Sequence, residues 1–566
     1  NGANTSFVHS FLDPDVPPEQ VVADPIVKVE VGPRRHPRIP TPPRLYGAER
    51  RNSAGLDLSQ LSVRKDMAAA IRSFRDSPAI AAGPIVSGKV VSGGGDMVRI
   101  PFDTGTVLGS CREAQQEDID KALTDAIRFQ PDWDALGGAE RAKHLRAMSD
   151  ILEGNAERLI ALMAREAGKT LSDGIAEVRE AVDFCRYYAM QAEAEFTIPQ
   201  RLPGPTGETN HISLHGRGVF CCISPWNFPL ILSMIDTIPA LLAGCAVMIK
   251  PSEVTSRFVA PLEAAIESAG LSSVLGFVTG AGETGAALVD QVDAVCFTGS
   301  VPTGRKVAVQ AAGRLIPAFL ELGGKDPLIV LASADIEAAT DAALRGSVQS
   351  TGQACQSIER IYVDEKIHDA FLARLVEKAA SVRLNAGDIT KGDIGPIIFE
   401  KQADILSAHI QDARAKGAKV LTGGEIETHM GGLWLRPTVL SAVTHEMRVM
   451  TEETFGPILP VMPFGSLDEA VRLANDTEYG LSGAVFAGSL EEAEAVAEHI
   501  DAGAISLNDA ALTALFHEAE KNAFKSSGLG GSRMGAAGLQ RFLRRKALIA
   551  NTARPLPLAA LSEDTE

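Results

Sequence analysis

The chain has 566 residues, more than one hydrophobic core usually serves, so two or three structural units are expected. A hydrophobic fraction of 45% and a charged fraction of 22% are ordinary for a globular protein. The formal net charge of −18 argues against nucleic acid and anionic membranes as partners, because both bind basic surfaces.

The sequence also bears on location and metal content. It contains no run of about 18 apolar residues and no signal-peptide pattern. The seven cysteines are odd in number, are scattered and include no CxxC pair, so neither a disulfide framework nor a zinc site is predicted. A cytoplasmic, reducing location and a protein without a bound metal fit these observations best.

The first 60 residues differ from the rest of the chain. Frequent prolines break any long helix there and basic residues cluster at Arg34, Arg35 and Arg38, which indicates a linker or extended arm. A helix is predicted over 61–75 and strand structure over 97–108. Apolar residues then recur every three or four positions, which predicts helices over 117–128, 139–167 and 174–195. The polar segment 197–216 is predicted to leave the core.

Strands and helices alternate from residue 216 onward. Strands are predicted over 219–224, 246–250, 275–279 and 294–298, and helices over 230–242, 258–269, 284–289 and 304–312. This order predicts an α/β fold with a parallel, doubly wound sheet, whose strands end at one edge where such sheets bind ligands. A second alternating block runs from residue 327 to about 505.

Two polar motifs end predicted strands. Residues 224–227 read Ser-Pro-Trp-Asn, and the side-chain amide of Asn227 can donate hydrogen bonds without carrying charge, which suits an oxyanion hole. A packed turn would use the same residues. Residues 250–253 read Lys-Pro-Ser-Glu, and a carboxylate at such a strand end commonly holds ribose hydroxyls in dinucleotide folds. Solvated loop charges are the alternative for this motif.

Two further motifs place glycines beside polar groups. Gly299 and Ser300 open a predicted helix, with Gly304 five residues after Gly299, and a helix N-terminus next to glycine favours a phosphate. Glu321 follows an apolar stretch and precedes two glycines. Partial burial there predicts a pKa raised towards the range of a general base, and a simple helix or strand cap is the alternative.

The last two motifs offer a nucleophile and an aromatic contact. Cys355 follows Gly-Gln-Ala in a small, polar context that predicts the start of a helix, where the pKa of a thiol is lowered. Six other cysteines compete, but most cysteines are buried and inert. Glu453 and Phe455, closed by Gly-Pro, suit a ribose and a flat ring, and a surface turn is the alternative.

In this order the six motifs resemble the aldehyde dehydrogenase superfamily over roughly residues 65–550. The resemblance implies the aldehyde dehydrogenase fold. A Rossmann-like NAD-binding domain would cover 61–196 and 217–322, an α/β catalytic domain 323–524, and a small β flap 197–216 and 534–556. The flap would cover a partner's sheet edge in a homodimer or homotetramer.

The resemblance also implies roles for the site residues. Cys355 would be the nucleophile, Glu321 the base that activates water, and Asn227 with the Cys355 N–H the oxyanion hole. Cofactor contacts are implied for Trp226, Lys250, Ser252, Glu253, Gly299, Ser300, Gly304, Glu453 and Phe455. A carboxylate near the ribose repels a 2′-phosphate, which favours NAD over NADP without excluding NADP. The reaction is the oxidation of an aldehyde to a carboxylic acid through a thiohemiacetal and a thioester.

The N-terminal part resembles a narrower group, the bifunctional proline-utilisation proteins, in which a flavin-dependent proline dehydrogenase barrel precedes a glutamate-γ-semialdehyde dehydrogenase. The matching stretches are residues 4–8, 45–47, 51–53, 55–58, 165–171, 177–184 and 202–208. They imply L-glutamate γ-semialdehyde as the substrate. They also imply a chain that was once fused to such a barrel, begins just after it and has no flavin site of its own.

The C-terminal part departs from that group. Gln356 follows the cysteine where glutamate-semialdehyde enzymes usually have serine, and the loop 525–533 lacks their Gly-Thr-Gly-Pro stretch. These two departures make general aliphatic or aromatic aldehydes the alternative substrates. Asp236, however, stands where many broad-substrate members have lysine. Arg533 or Lys525 could receive a substrate carboxylate, although surface placement is expected for both.

Two other classes are weighed against this interpretation. A CoA-acylating semialdehyde dehydrogenase generally lacks the general base, so Glu321 opposes it. A non-catalytic member of the family would lack the cysteine, the asparagine or the glutamate, and all three are present.

Overall fold

A computed structural model describes most of the chain. The described residues are 38–75, 79–196, 200–514 and 518–561, with isolated positions nearer both ends. Residues 4–8 of the proline-utilisation resemblance, Arg34 and Arg35 of the predicted arm, and 197–199 of the predicted excursion lie outside them.

The chain divides into two compact units, Asn1–Ala54 and Gly55–Glu566. In the described part of the first unit, Pro42–Arg44 forms a 3-10 turn. The Arg50 guanidinium lies over the Tyr46 ring, 3.7 Å from its centroid.

The helices of the second unit are mostly those that the apolar spacing predicts. Their bounds are Leu61–Arg75, Gln116–Ala135, Gly138–Gly154, Ala156–Glu166, Leu171–Phe196, Ile231–Met234, Thr237–Ala243, Val259–Ser268, Gly282–Val289, Val301–Gly313, Ile336–Val348, His368–Ala380, Glu400–Ala415, Arg448–Thr451, Leu467–Asn475, Leu490–Ala497 and Gly535–Gln540. The single helix predicted over 139–167 is wrong. It breaks at Asn155, whose side-chain amide donates to the Ile151 carbonyl at 2.8 Å and competes with the helical bond. No described helix is both long and apolar enough to cross a membrane.

An eight-stranded sheet forms the first core. Its strands, in spatial order, are Gly528–Leu529, Ala318–Glu321, Ala294–Thr298, Val219–Ile223, Ala246–Lys250, Leu275–Phe277, Ile85–Val86 and Lys89–Val90. The five strands from Ala318–Glu321 to Leu275–Phe277 are parallel. The predicted α/β fold is therefore confirmed, whereas the short antiparallel strands at both edges were not predicted.

A seven-stranded sheet forms the second core. Its strands, in spatial order, are Lys419–Val420, Thr438–Ser441, Ile458–Phe464, Ile358–Asp364, Asp326–Val330, Gly483–Phe486 and Ile505–Leu507. All pairings are parallel except that of Lys419–Val420. Two separate apolar clusters cover this sheet. Buried strands of this kind consist of continuous apolar runs.

Smaller sheets complete the second unit. Leu543–Ala550, Thr209–Gly216 and Gln200–Pro203 form an antiparallel sheet with Leu543–Ala550 at one edge. The remaining strands are Ile80–Ala82 with Asp103–Cys111 and Asp96–Ile100, Ile426–His429 with Gly432–Leu435, and Tyr479–Gly480 with Phe524–Lys525.

Replacement of Phe542 by alanine is expected to lower the free energy of unfolding by about 3–5 kcal/mol. The Phe542 ring is fully buried, and its centroid lies 4.9 Å from that of Phe220 and 6.1 Å from that of Phe319. Equilibrium urea denaturation followed by tryptophan fluorescence measures the change. Phe524→Ala is the matched control, because the Phe524 side chain is exposed and its loss should cost less than about 1 kcal/mol. Equal effects of the two changes would contradict the described packing.

Candidate active site

Three cavities meet around Cys355. The large cavity, about 840 Å³, lies at the carboxyl ends of the parallel strands and is lined by Trp226, Asn227, Lys250, Ser252, Glu253, Gly299, Ser300, Cys355, Glu453 and Phe455, among others. The small cavity, about 130 Å³, shares Cys355 with it and also contains Glu321. The side cavity, about 240 Å³, shares Glu180 and Gln356 with the small one. Cys355 therefore lies in the wall between the large and small cavities.

Asn227 is fixed against the cysteine loop. It is buried, and its side-chain amide donates to the Gln353 carbonyl at 3.0 Å. A buried carboxylate fixes the start of the helix that follows Asn227. Glu177 accepts the N–H groups of Leu230 at 2.7 Å and Ile231 at 3.1 Å. An amide nitrogen carries two protons, so a second N–H of Asn227 remains for a ligand.

Cys355 does not start a helix, and that prediction is wrong. It lies in a turn that precedes the strand Ile358–Asp364. Ser350, Thr351 and Gly352 before it have positive φ angles of 51°, 61° and 67°. An α-helix cannot continue through this left-handed run, and such strain is often found at functional sites.

The Cys355 thiol therefore has no helix N-terminus to favour its ionised form. Burial raises its pKa to about 12, and the negative charge of Asp326 adds to the increase. The cation of Arg533 acts in the opposite direction. The thiol of the ligand-free protein is consequently neutral at physiological pH, and a nucleophilic role for its sulfur would require loss of the proton.

Glu321 ends the strand Ala318–Glu321 and has only 18% of its side chain exposed. Burial raises the pKa of its carboxyl, as the apolar stretch before it predicts, and the nearby Arg533 cation lowers it. The Arg533 Nε lies 3.6 Å from Glu321 Oε1. A carboxyl with a raised pKa is a suitable proton acceptor near neutral pH.

Arg533 is buried, so the expectation of surface placement is wrong for this residue. It donates to the Thr298 hydroxyl at 2.6 Å and to an Asp236 oxygen at 3.2 Å. Arg541 donates to the other Asp236 oxygen. The pairing with Asp236 is what permits the burial, because a lone buried charge is costly. Lys525 is exposed, as expected, and its ammonium donates to the Asn475 carbonyl at 2.9 Å.

The strand end at Lys250 brings a cation and a carboxylate into the large cavity. Lys250 is buried and its Nζ lies 3.4 Å from an oxygen of Glu253, whose side chain is 54% exposed. The Ser252 hydroxyl accepts the Val254 N–H at 3.3 Å and so begins the short 3-10 turn that carries Glu253.

The glycine motif places a helix N-terminus at the same cavity. Gly299 and Ser300 line it, and Ser300 precedes the helix Val301–Gly313. Gly304 does not line it. A Cβ at Gly304 would lie 2.4 Å from Leu322 Cδ2, so this glycine instead allows the helix to pack closely against Leu322.

A second helix N-terminus at the large cavity was missed by sequence reasoning. The helix Gly282–Val289 begins there, and Ala281, Gly282 and Glu283 line the cavity. The Gly280-Ala281-Gly282 turn after a predicted strand was the available signal.

The loop of Glu453 and Phe455 is held by a buried carboxylate that was also missed. Phe455 has a φ of 55°, and its N–H donates to Glu359 at 2.7 Å. The other Glu359 oxygen accepts the Thr454 N–H at 2.8 Å and the Lys325 ammonium at 2.7 Å. A charged residue inside the apolar strand Ile358–Asp364 was the signal that could have pointed to it.

Aromatic rings and a buried acid line the end of the large cavity near this loop. The Phe455 ring meets the Trp226 ring edge to face, with centroids 5.4 Å apart, and Phe399 lies 6.0 Å from Trp226. Burial raises the pKa of Glu453 to about 8, and one of its oxygens accepts the Gly324 N–H at 3.2 Å. Among the described residues, no group of three or more His, Cys, Asp or Glu side chains is placed to hold a metal ion.

Comparison with known proteins places these features in context. Residues 94–548 match the Aldehyde dehydrogenase family. A putative succinate-semialdehyde dehydrogenase (NADP+) of Mycolicibacterium smegmatis is 39% identical over 444 residues, which is 78% of this chain and 86% of that protein. The structure of the putative aldehyde dehydrogenase PutA from Anabaena variabilis has a TM-score of 0.78 and 49% identity, covering 81% of this chain and 98% of that one. The NAD+ complex of betaine aldehyde dehydrogenase from Staphylococcus aureus has a TM-score of 0.81 and 29% identity, covering 87% and 98%.

Alkylation of Cys355 by iodoacetamide is expected to be slow at neutral pH and to rise about tenfold per pH unit into the alkaline range. The reason is that a thiol with a pKa of about 12 is ionised in proportion to hydroxide. Mass spectrometry of the Cys355 peptide from ligand-free protein measures the rate, with Cys355→Ala to identify the peptide. A rate that levels off below pH 9 would show that the thiol is ionised much more readily than its burial implies.

Proposed function

The chain belongs to the aldehyde dehydrogenase family, and we propose that it oxidises L-glutamate γ-semialdehyde to L-glutamate with NAD. One observation supports the general reaction. Cys355 lies in the wall between the large and small cavities, with the side-chain amide of Asn227 in the lining of the large cavity and the carboxyl of Glu321 in that of the small one. This arrangement offers a nucleophile, a base and an oxyanion donor to one carbon atom.

The large cavity fits a nicotinamide dinucleotide by its donor set. Lys250 and Glu253 offer a cation and a carboxylate to ribose hydroxyls, and the helix N-terminus at Ser300 suits a pyrophosphate. Glu453 and Phe455 suit the second ribose and a flat ring. The bound dinucleotide would supply the hydride acceptor.

Cofactor preference is proposed from the exposed carboxylate of Glu253. A 2′-phosphate beside it would be repelled, which favours NAD. Both cofactors occur among similar proteins, since the Mycolicibacterium smegmatis protein is named for NADP+ and the Staphylococcus aureus structure contains NAD+.

The protein groups act in two stages. Cys355 gives its proton to Glu321 as its sulfur attacks the aldehyde carbon, and the N–H groups of Asn227 and of the Cys355 backbone stabilise the oxyanion of the thiohemiacetal. Glu321 passes this proton to solvent before the second stage. Loss of hydride leaves a thioester on Cys355. Glu321 then takes a proton from water, whose oxygen attacks the thioester carbon, and the acid leaves as the sulfur regains a proton.

The substrate proposal rests on the charges of the small cavity. Glu180 lines both the small and side cavities, and burial raises its pKa to about 8. Lys521 also lines the small cavity, and its ammonium donates to the Thr513 carbonyl. Within the part of the chain that the structure describes, Lys521 pairs with no carboxylate. The ammonium of an amino-acid semialdehyde would favour the ionised form of Glu180, and its carboxylate would pair with Lys521, whereas succinate semialdehyde carries only the carboxylate.

A broad-substrate aldehyde dehydrogenase is the alternative, and one feature favours it. The small cavity is otherwise largely apolar, with Phe228, Ile231, Leu232, Ile235, Leu322, Leu481 and Met534 in its wall. Such a lining suits hexanal or benzaldehyde.

The fold supports a proposed role for each of the two large sheets. The eight-stranded sheet would be the centre of the cofactor domain and the seven-stranded sheet that of the catalytic domain.

The fold also supports a proposed assembly. Leu543–Ala550 is an edge strand on which Leu548 and Ile549 are 52% and 72% exposed. An exposed apolar edge of this kind needs cover, so a second copy of the chain would pack there in a homo-oligomer.

NADH formation by the purified protein is expected to be most efficient, in kcat/KM, with L-glutamate γ-semialdehyde. Succinate semialdehyde should follow, and hexanal and benzaldehyde should be poorer, because only the first substrate brings a partner for both Glu180 and Lys521. Absorbance of NADH measures the rates, and Cys355→Ser should remove them. A preference for hexanal or benzaldehyde would favour the broad-substrate alternative, and a requirement for CoA would favour the acylating class. Turnover by Cys355→Ser would contradict the mechanism.

Lys521→Met is expected to lower kcat/KM for the two semialdehydes that carry a carboxylate by about 10- to 100-fold, since a charge-assisted hydrogen bond contributes about 1.5–3 kcal/mol. Hexanal should be oxidised nearly as well as by the unaltered protein. Lys525→Met, four residues away in the strand Phe524–Lys525 and in the lining of none of the three cavities, is the matched control. An equal loss with all three substrates would show that Lys521 does not bind the carboxylate.

A further inference from the structure

Arg533 lies beside both reacting groups of the proposed mechanism. It lines the small cavity together with Cys355 and Glu321, and its Nε is 3.6 Å from a Glu321 oxygen. Its Nη2 donates to Thr298 and to Asp236. The Nε has no hydrogen-bond partner among the described residues, so this donor stays available to the Glu321 carboxylate.

The charges around Glu321 form a nearly closed cluster. Arg533, Arg541 and Asp236 have only 10%, 5% and 5% of their side chains exposed. Two guanidinium groups therefore face two carboxylates, and this cluster is neutral only when Glu321 is ionised. Lys521 is a further cation that acts on Glu321. Low exposure makes such charges interact more strongly than they would in water.

We propose that Arg533 is a positioning residue for the reaction, which holds the Glu321 carboxylate in place and supports the Cys355 thiolate, and that it does not bind a substrate carboxylate. Its charge is already matched by two acidic side chains, Asp236 and Glu321. One of its terminal nitrogens is engaged by two protein oxygens. A substrate carboxylate at Arg533 would have to compete with Asp236 and Glu321 for one buried guanidinium, which is unfavourable.

The consequence for pH dependence follows from the sign of the charge. The Arg533 cation lowers the pKa of both Glu321 and Cys355, so its removal raises both. Glu321 works as a base when it is ionised, and the acid limb of kcat therefore moves to higher pH. A carboxylate-binding arginine would instead raise KM for substrates with a carboxylate and leave the pH profile in place.

The test compares Arg533→Met and Arg533→Lys with the unaltered full-length enzyme. The inference rests on the proposed roles of Cys355 and Glu321, so two readouts are used. For Arg533→Met the acid limb of kcat should move up by about one pH unit, with a loss of about tenfold at neutral pH, and equally for succinate semialdehyde and hexanal. Iodoacetamide alkylation of Cys355 at a fixed pH should slow by about tenfold. Arg533→Lys keeps the charge and should show smaller changes of both kinds.

One further variant serves as the control, and two outcomes would contradict the inference. Arg374→Met removes an arginine that pairs with Glu337 and Glu377 and lines none of the three cavities. It should leave both readouts unchanged. A loss confined to succinate semialdehyde would assign Arg533 to substrate binding, and a uniform loss with an unshifted pH profile would assign it to structure alone. Either result overturns the inference.

Two features of the experiment ensure that its result can contradict the inference about Arg533. Arg541 still pairs with Asp236 in both variants, so the cluster keeps a cation and folding should be retained, which thermal melting checks. If Arg533→Met does not fold, Arg533→Gln takes its place, since it removes the charge but keeps a hydrogen-bond donor for Thr298 and Asp236. Its alkylation rate should fall by about tenfold, and a rate equal to that of Arg533→Lys would overturn the inference. Alkylation needs no aldehyde turnover, so failure of the proposed function and failure of the Arg533 inference give different results.

Discussion

Buried carboxylates, each paired with a cation and accepting neighbouring N–H groups, hold the loops of the site. Glu177 pairs with Lys169 at 3.3 Å and accepts the N–H groups that begin the helix after Asn227, and Glu359 pairs with Lys325 and holds the loop of Phe455. A carboxylate without its cation costs several kcal/mol at such depth, so neither partner can be lost alone without large destabilisation. The site therefore depends on ion pairs that lie in segments far along the chain from the loops they hold.

These pairs explain how strained backbone persists beside the proposed catalytic residues. Phe455 is left-handed without being glycine, and Ser350 and Thr351 are left-handed in succession before Cys355. Each such residue costs of order 1–3 kcal/mol and persists only where its surroundings fix it. For Phe455 the fixing group is Glu359, which accepts its N–H. For the cysteine turn, Asn227 contributes by its bond to the Gln353 carbonyl.

The sequence predicts the parallel sheet and the positions of the polar motifs, because buried strands are continuous apolar runs and their ends carry the polar residues. It does not predict the turn at Cys355, since two of the three left-handed residues are Ser350 and Thr351, which carry no signal for positive φ. Nor does it predict the burial of Arg533. A Gly-Gly-Ser-Arg loop resembles a solvated one, and its partner Asp236 lies 297 residues earlier in the chain.

That pairing links two features that the family resemblance treats separately. Asp236 departs from the lysine of many broad-substrate members and the loop that ends at Arg533 departs from the proline-utilisation group, yet the Asp236 and Arg533 side chains are bonded to each other. A carboxylate at position 236 balances the arginine, and the arginine faces Glu321, the proposed base. The two departures are thus one electrostatic arrangement around Glu321. The proposed choice of aldehyde then rests on other residues that line the small cavity, which are Glu180, Gln356 and Lys521.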